Sequence, residues 1–84
     1  MKKQLMYHVY LIRSEIDPSK YYKGFTTDIG KRLEKHNCGE VRSTTTLKPW
    51  ELQTLISFDS RVKALQFERY LKSHSGRAFS SKHF

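Results

Sequence analysis

The chain has 84 residues, and its 16 Lys and Arg against 8 Asp and Glu give a formal charge of +8 and a pI near 9.8. So short a chain buries only about 60–65% of its unfolded surface, which allows one modest core and a shallow site. No run of 18 apolar residues exists, which excludes a transmembrane helix. The single cysteine, Cys38, excludes a disulfide framework and a cysteine-based zinc site. The basic N-terminus lacks the small-residue cleavage site of a signal peptide, so a reducing cytoplasm is expected. Five Tyr, five Phe and one Trp are too many for a disordered basic tail. The excess of positive charge points to a polyanionic partner, nucleic acid before an acidic membrane surface. Past Glu68 there is no acid, while Arg69, Lys72, Arg77 and Lys82 follow.

The elements read as follows. Residues 6–13 and 20–26 are rich in β-formers and flank the turn signal Asp17-Pro18-Ser19, which predicts an antiparallel pair. Tyr7, Val9 and Leu11 share one face of the first strand; His8, Tyr10 and Ile12 share the other. A helix follows, capped by Thr27 or Asp28, with Ile29, Leu33, His36 and Asn37 on one face, and ends at Cys38-Gly39. Residues 39–49 read as a polar loop. Glu51 to Phe58 reads as a third strand, with Leu52, Ile56 and Phe58 on one side. Ser60 caps a second helix over 61–73, and a short helix capped by Ser75 is expected from Gly76 to His83. The order β-β-α-β-α, with a final short α, predicts an α+β fold: a small three-stranded antiparallel sheet flanked by helices, in a single domain over 1–84.

Three features stand out from this scaffold. Glu68 falls inside the apolar stripe of the second helix set by Ala64, Leu65 and Leu71. A carboxylate there needs a partner such as Arg61, a position at the rim, or a bound cation. Arg32 and His36 are one turn apart on the first helix, flanking its apolar stripe. They form either a solvated pair at the rim, or an arginine that clamps phosphate beside a histidine that bonds a water or hydroxyl. Tyr7, Tyr10, Tyr21 and Tyr22 all lie in the first two strands, where tyrosine packs well but can also serve as an acid, base or phosphate ligand.

Taken in order, these residues resemble the GIY-YIG nuclease superfamily. His8-Val9-Tyr10 and Tyr22-Lys23-Gly24 resemble its paired tripeptides, with His8 in place of the first Gly and Lys23 in place of the middle Ile. Thr26 to Asn37 is similar to its first helix, Lys48-Pro49-Trp50-Glu51-Leu52 to the entry of its third strand, and Ala64 to Lys72 to its second helix. The likeness is greatest to small stand-alone bacterial members, which are similar to the nuclease module of the excinuclease C subunit. The resemblance implies metal-dependent hydrolysis of a DNA phosphodiester, in repair or in the processing of branched or damaged DNA. It implies catalytic roles for Tyr10, Tyr22, Arg32 and His36, and Glu68 as the ligand of one Mg²⁺ or Mn²⁺. A lone carboxylate suits such an ion, which keeps several waters. Lys23, Lys31, Lys35, Arg69, Lys72 and Arg77 are the expected nucleic-acid contacts, and the five candidate site residues are expected to share one concave patch. RNA stays open as a substrate, as does a catalytically weak binding module on the same fold. A partner protein or a second copy would supply targeting.

Overall fold

The computed structural model describes residues 5–73. The expected helix from Gly76 to His83, and with it Arg77, lies outside the described residues. Within them the order is β1 (Tyr7–Ser14), β2 (Tyr21–Thr26), α1 (Ile29–Asn37), a 3₁₀ turn (Thr45–Leu47), β3 (Trp50–Phe58) and α2 (Arg61–Lys72). The sheet is antiparallel in the order β2-β1-β3, and β1 is its centre.

Local chemistry fixes the helix ends. Asp28 has an extended backbone and its carboxylate accepts from Lys31 N, so Asp28 and not Thr27 is the cap of α1. At the other end Gly39 takes a φ of 81°, which glycine adopts without strain. Its amide bonds His36 O, and Glu40 N bonds Lys35 O, closing a Schellman motif. Ser60 caps α2 by accepting from Lys63 N.

The two helices lie on opposite faces of the sheet. Val9 on one face packs with Ala64 and Leu71 of α2, joined by Tyr7, Phe25, Phe58 and Phe67. Tyr10 and Ile12 on the other face pack with Trp50, Tyr22, Ile29, Leu33, Leu47 and Leu52. Because both faces of β1 are covered, four successive residues, Val9 to Ile12, are buried instead of alternating.

One expectation fails on β3. Leu52, Ile56 and Phe58 do not share a side. Leu11 pairs with Thr54 but Ile12 pairs with Leu52, leaving Gln53 between them as a bulge. The extra residue shifts the side-chain period, so Leu52 joins the α1 face while Phe58 packs on the α2 face.

The 39–49 segment is held more firmly than a polar loop suggests. Ser14 Oγ donates to Leu47 O at 2.6 Å, and Trp50 Nε1 donates to Thr44 O at 2.8 Å. Asn37 at the end of α1 accepts from Trp50 N and donates to Trp50 O, joining helix to strand. These bonds fix the far end of α1 against the sheet.

Candidate active site

Tyr10 stands at the middle of β1, opposite Gly24 of β2. Its ring lies over that glycine: a Cβ on Gly24 would collide with Tyr10 Oη and Cζ. The phenol is thereby seated beneath α1, where it meets two side chains of that helix. Tyr10 Oη lies 2.8 Å from His36 Nε2, and Arg32 Nε donates to Tyr10 Oη at 3.1 Å. Arg32 and His36 reach the same phenol because they are one helical turn apart.

Tyr22 joins from β2. Its ring centre is 5.1 Å from that of His36 and 6.4 Å from that of Tyr10. Its phenol is near enough to the Arg32 guanidinium for the two to interact electrostatically. The two phenols differ in exposure: Tyr10 is 1% exposed, while Tyr22 is only partly buried. Lys72 Nζ stands 6.0 Å from the Tyr22 ring centre and 3.4 Å from Glu68 Oε2. Glu68 is thus one ammonium group away from Tyr22, and its charge is felt at Tyr10. Its observed ion-pair partner is Lys72 in the next turn, not Arg61.

Electrostatics follow from this packing. Burial raises the Tyr10 phenol above its ordinary pKa, against the pull of Arg32. The bond to Tyr10 holds Arg32 more firmly as a cation. Burial, and then the Arg32 charge, push His36 down to about 4, so its imidazole is neutral at pH 7. His36 is 0% exposed, which replaces the solvated rim pair with a core histidine.

Tyr10, Tyr22, Arg32 and His36 therefore form one cluster, with Glu68 at its border. The surface cations are distributed differently. Lys31 and Lys35 stand exposed on α1, Arg69 and Lys72 on α2. Lys23, on the opposite side of β2 from Tyr22, donates to Leu71 O at 2.9 Å and pins the end of α2 to the sheet. A shallow depression beside the cluster is lined by Tyr21, Tyr22, Lys23 and Lys72.

Two contributors were not singled out by the sequence reading. Gly24 provides the seat for Tyr10, and its presence in the second tripeptide was the available signal. Thr44 is 1% exposed and lies 2.7 Å from His36 Nδ1 through its Oγ1. Its only signal was the hydroxyl-rich run Ser43 to Thr46 close before Trp50.

Glu68 offers a cation one carboxylate, with 19% of its side chain exposed. Among the described residues no group of three or more His, Cys, Asp and Glu forms a cage. That donor set fits an ion that keeps its own waters and shares phosphate oxygens. Among the described residues no helix is long and apolar enough to cross a membrane.

Comparison with known proteins bears on the family and the fold. The family model described as the GIY-YIG catalytic domain matches residues 6–82. The structure-specific endonuclease subunit slx1 of Talaromyces marneffei is 48% identical over 68 residues, covering 74% of this chain but 18% of that protein. The chain thus spans less than a fifth of the length of that relative. A UPF0213 protein of Halobacterium salinarum is 38% identical over 71 residues, covering 83% of this chain and 90% of its own. The solution structure of a UPF0213 protein from Bacillus halodurans superposes with a TM-score of 0.55 at 27% identity, over 90% of this chain and 80% of that one. With a three-stranded antiparallel sheet, two covering helices and this match over most of its length, the chain belongs to the GIY-YIG nuclease family.

Proposed function

We propose that the protein is a divalent-metal-dependent DNA endonuclease acting on branched or damaged DNA, in repair or strand processing. The observation that carries this reading is Arg32 hydrogen-bonded to the Tyr10 phenol with the Tyr22 phenol close by, beside a lone carboxylate on a basic domain. Phosphodiester hydrolysis passes through a state with extra negative charge, so it needs a fixed cation and an acceptor for the proton of water. Arg32 supplies the cation and Tyr22 the solvent-facing phenol. Tyr10 is too buried to meet water, so its role is to hold Arg32, and His36 holds Tyr10. The attacking water oxygen bonds to phosphorus as the bond to the leaving oxygen breaks, and that oxygen departs with the electron pair. Tyr22 takes the proton of the water on its phenol oxygen as it gives its own hydroxyl proton to solvent, and the leaving oxygen takes up a proton from solvent. Glu68 would hold one Mg²⁺ or Mn²⁺, which when bound supplies positive charge to the phosphate oxygens.

Lys31, Lys35, Arg69, Lys72 and Arg77 would hold the flanking backbone by charge. Their contribution weakens as salt rises. Lys23, tied to α2, would add only a backbone-phosphate contact. The relatives named as structure-specific endonuclease subunits favour the structure of the DNA over a base sequence as the feature recognised. A small module also has little surface for reading sequence, since specific interfaces bury roughly 1,000 Å² or more of protein. A partner protein or a second copy would complete the targeting. The free, exposed Cys38 is in keeping with a cytoplasmic setting.

The test is incubation with branched, flapped and nicked DNA in Mg²⁺ or Mn²⁺, beside Glu68→Ala and Arg32→Ala. The wild type should cleave branched substrates, and each substitution should lower the rate by about 10²-fold or more. Cleavage that neither substitution reduces, or binding without cleavage on every substrate, overturns the reading.

A further inference from the structure

We propose that Thr44 is a positioning residue for Arg32, acting through His36 and Tyr10 by fixing which imidazole nitrogen carries the proton. This rests on the reading of Arg32 as the cation of the nuclease site.

The inference comes from counting donors along a buried chain. Thr44 Oγ1 donates to Val41 O at 3.3 Å. A carbonyl only accepts, so the hydroxyl proton of Thr44 has an acceptor there, on a carbonyl that the Thr44 amide also reaches at 3.1 Å. With that proton turned to Val41 O, the 2.7 Å contact between Thr44 Oγ1 and His36 Nδ1 is a donation from the imidazole. His36 therefore carries its proton on Nδ1 and leaves Nε2 bare. The other end selects this direction. Arg32 Nε donates to Tyr10 Oη, since a guanidinium never accepts. The Tyr10 hydroxyl proton needs an acceptor, and His36 Nε2 lies 2.8 Å away.

Every bond thus points the same way: Arg32 to Tyr10, Tyr10 to His36, His36 to Thr44, Thr44 to Val41. Tyr10, His36 and Thr44 are each no more than 1% exposed, so water cannot substitute for a missing partner without repacking. A one-directional chain of this kind polarises each bond by the next. It also fixes one atom of the Arg32 guanidinium and leaves the remaining donors to the cleft. The opposite tautomer would aim a second N–H at Tyr10 Oη and strand the phenol's own proton. Arg32 would then lose its anchor. The hydroxyl of Thr44, in the loop after α1, thereby governs the aim of a side chain it does not touch.

The experiment uses the full-length protein labelled with ¹⁵N, with the His36 tautomer and the exchange of the Arg32 Nε proton read by NMR. The wild type should show His36 protonated on Nδ1 and a protected Arg32 Nε–H. Thr44→Ser keeps the hydroxyl and should preserve both. Thr44→Val keeps the shape and removes the acceptor; His36 should shift toward Nε2–H and the Arg32 proton should lose protection. On branched DNA, Thr44→Val should lower kcat by about 10²-fold, the scale of a small misplacement at the reacting centre. Thr44→Ser should restore most of it.

A wild-type His36 protonated on Nε2 overturns the inference, as does a loss of kcat in Thr44→Val with the tautomer unchanged. Should Thr44→Val fail to fold, the wild-type tautomer and Thr44→Ser decide by the same signs. Should the wild type cleave no DNA, the nuclease reading falls, while the tautomer and the Arg32 exchange still decide whether Thr44 sets the chain.

Discussion

The two faces of the central strand are one residue apart in sequence and are held by different forces. On the α2 face, Val9, Ala64 and Leu71 pack with four aromatic rings, and the cohesion is burial and dispersion. On the α1 face, the apolar cluster of Tyr10, Ile12 and Trp50 is threaded by hydrogen bonds from Arg32, His36, Thr44 and Asn37. The first kind of packing tolerates rearrangement if volume is kept. The second demands particular atoms at particular places, because a buried donor left unpaired costs about 1–3 kcal/mol. The scaffold is therefore segregated: one face sets stability and the other sets geometry.

Substitutions can break this division. Leu71→Ala should be the largest effect on stability, about 2–5 kcal/mol from lost burial and the cavity left behind. Urea unfolding measures it, and the folded fraction should keep its kcat. A large fall in kcat at full occupancy of the folded state would show that the α2 face also sets the site. Gly24→Ala should cost about 1–3 kcal/mol through overpacking against Tyr10. It should also reduce cleavage beyond its effect on stability, because the phenol must move away from Arg32; equal losses in both measurements would remove Tyr10 from the positioning role.

Acid probes the same contrast without mutation. His36 has a depressed pKa in the fold, about 4 against 6.5 when exposed. Between those values the unfolded chain binds a proton that the folded chain does not. The stabilisation from a neutral His36 is thus complete above about 6.5 and is lost as pH falls toward about 4. Urea midpoints across this window should fall with acid, and His36→Gln should flatten that slope. An unchanged slope in the variant would mean that other groups carry the acid sensitivity. The smallest effect belongs to a feature remote from both faces: Ser60→Ala removes the α2 cap and should cost about 1 kcal/mol by thermal unfolding, with cleavage unaltered.

Local signals made much of this readable from sequence. Strand composition, a cap at Thr27 or Asp28, the Ser60 cap and the Gly39 stop each act within a few residues, so they are visible without the fold. The candidate residues Tyr10, Tyr22, Arg32 and His36 were visible through the family resemblance that their order carries, since helical spacing alone left Arg32 and His36 as either a rim pair or a phosphate clamp. What was hidden depends on contacts between distant parts of the chain. The bulge at Gln53 is a property of pairing with β1, not of β3 itself. His36 looked like a rim residue because Thr44 of the 39–49 segment, which no periodicity ties to α1, packs against it. The engagement of Lys23 with Leu71 joins residues 48 positions apart, so a lysine expected to contact phosphate serves the scaffold first.

The ring of Tyr10 over Gly24 has a consequence for how such a chain can change by descent. The two positions sit on neighbouring strands, and each sets the permissible size of the other. A side chain at 24 can be inherited only after the phenol at 10 is lost or turned aside, and that first step releases Arg32. The path between a glycine and any larger residue there thus crosses a form without its anchored guanidinium. Tyr10 and Gly24 are, in effect, one heritable character written at two sites.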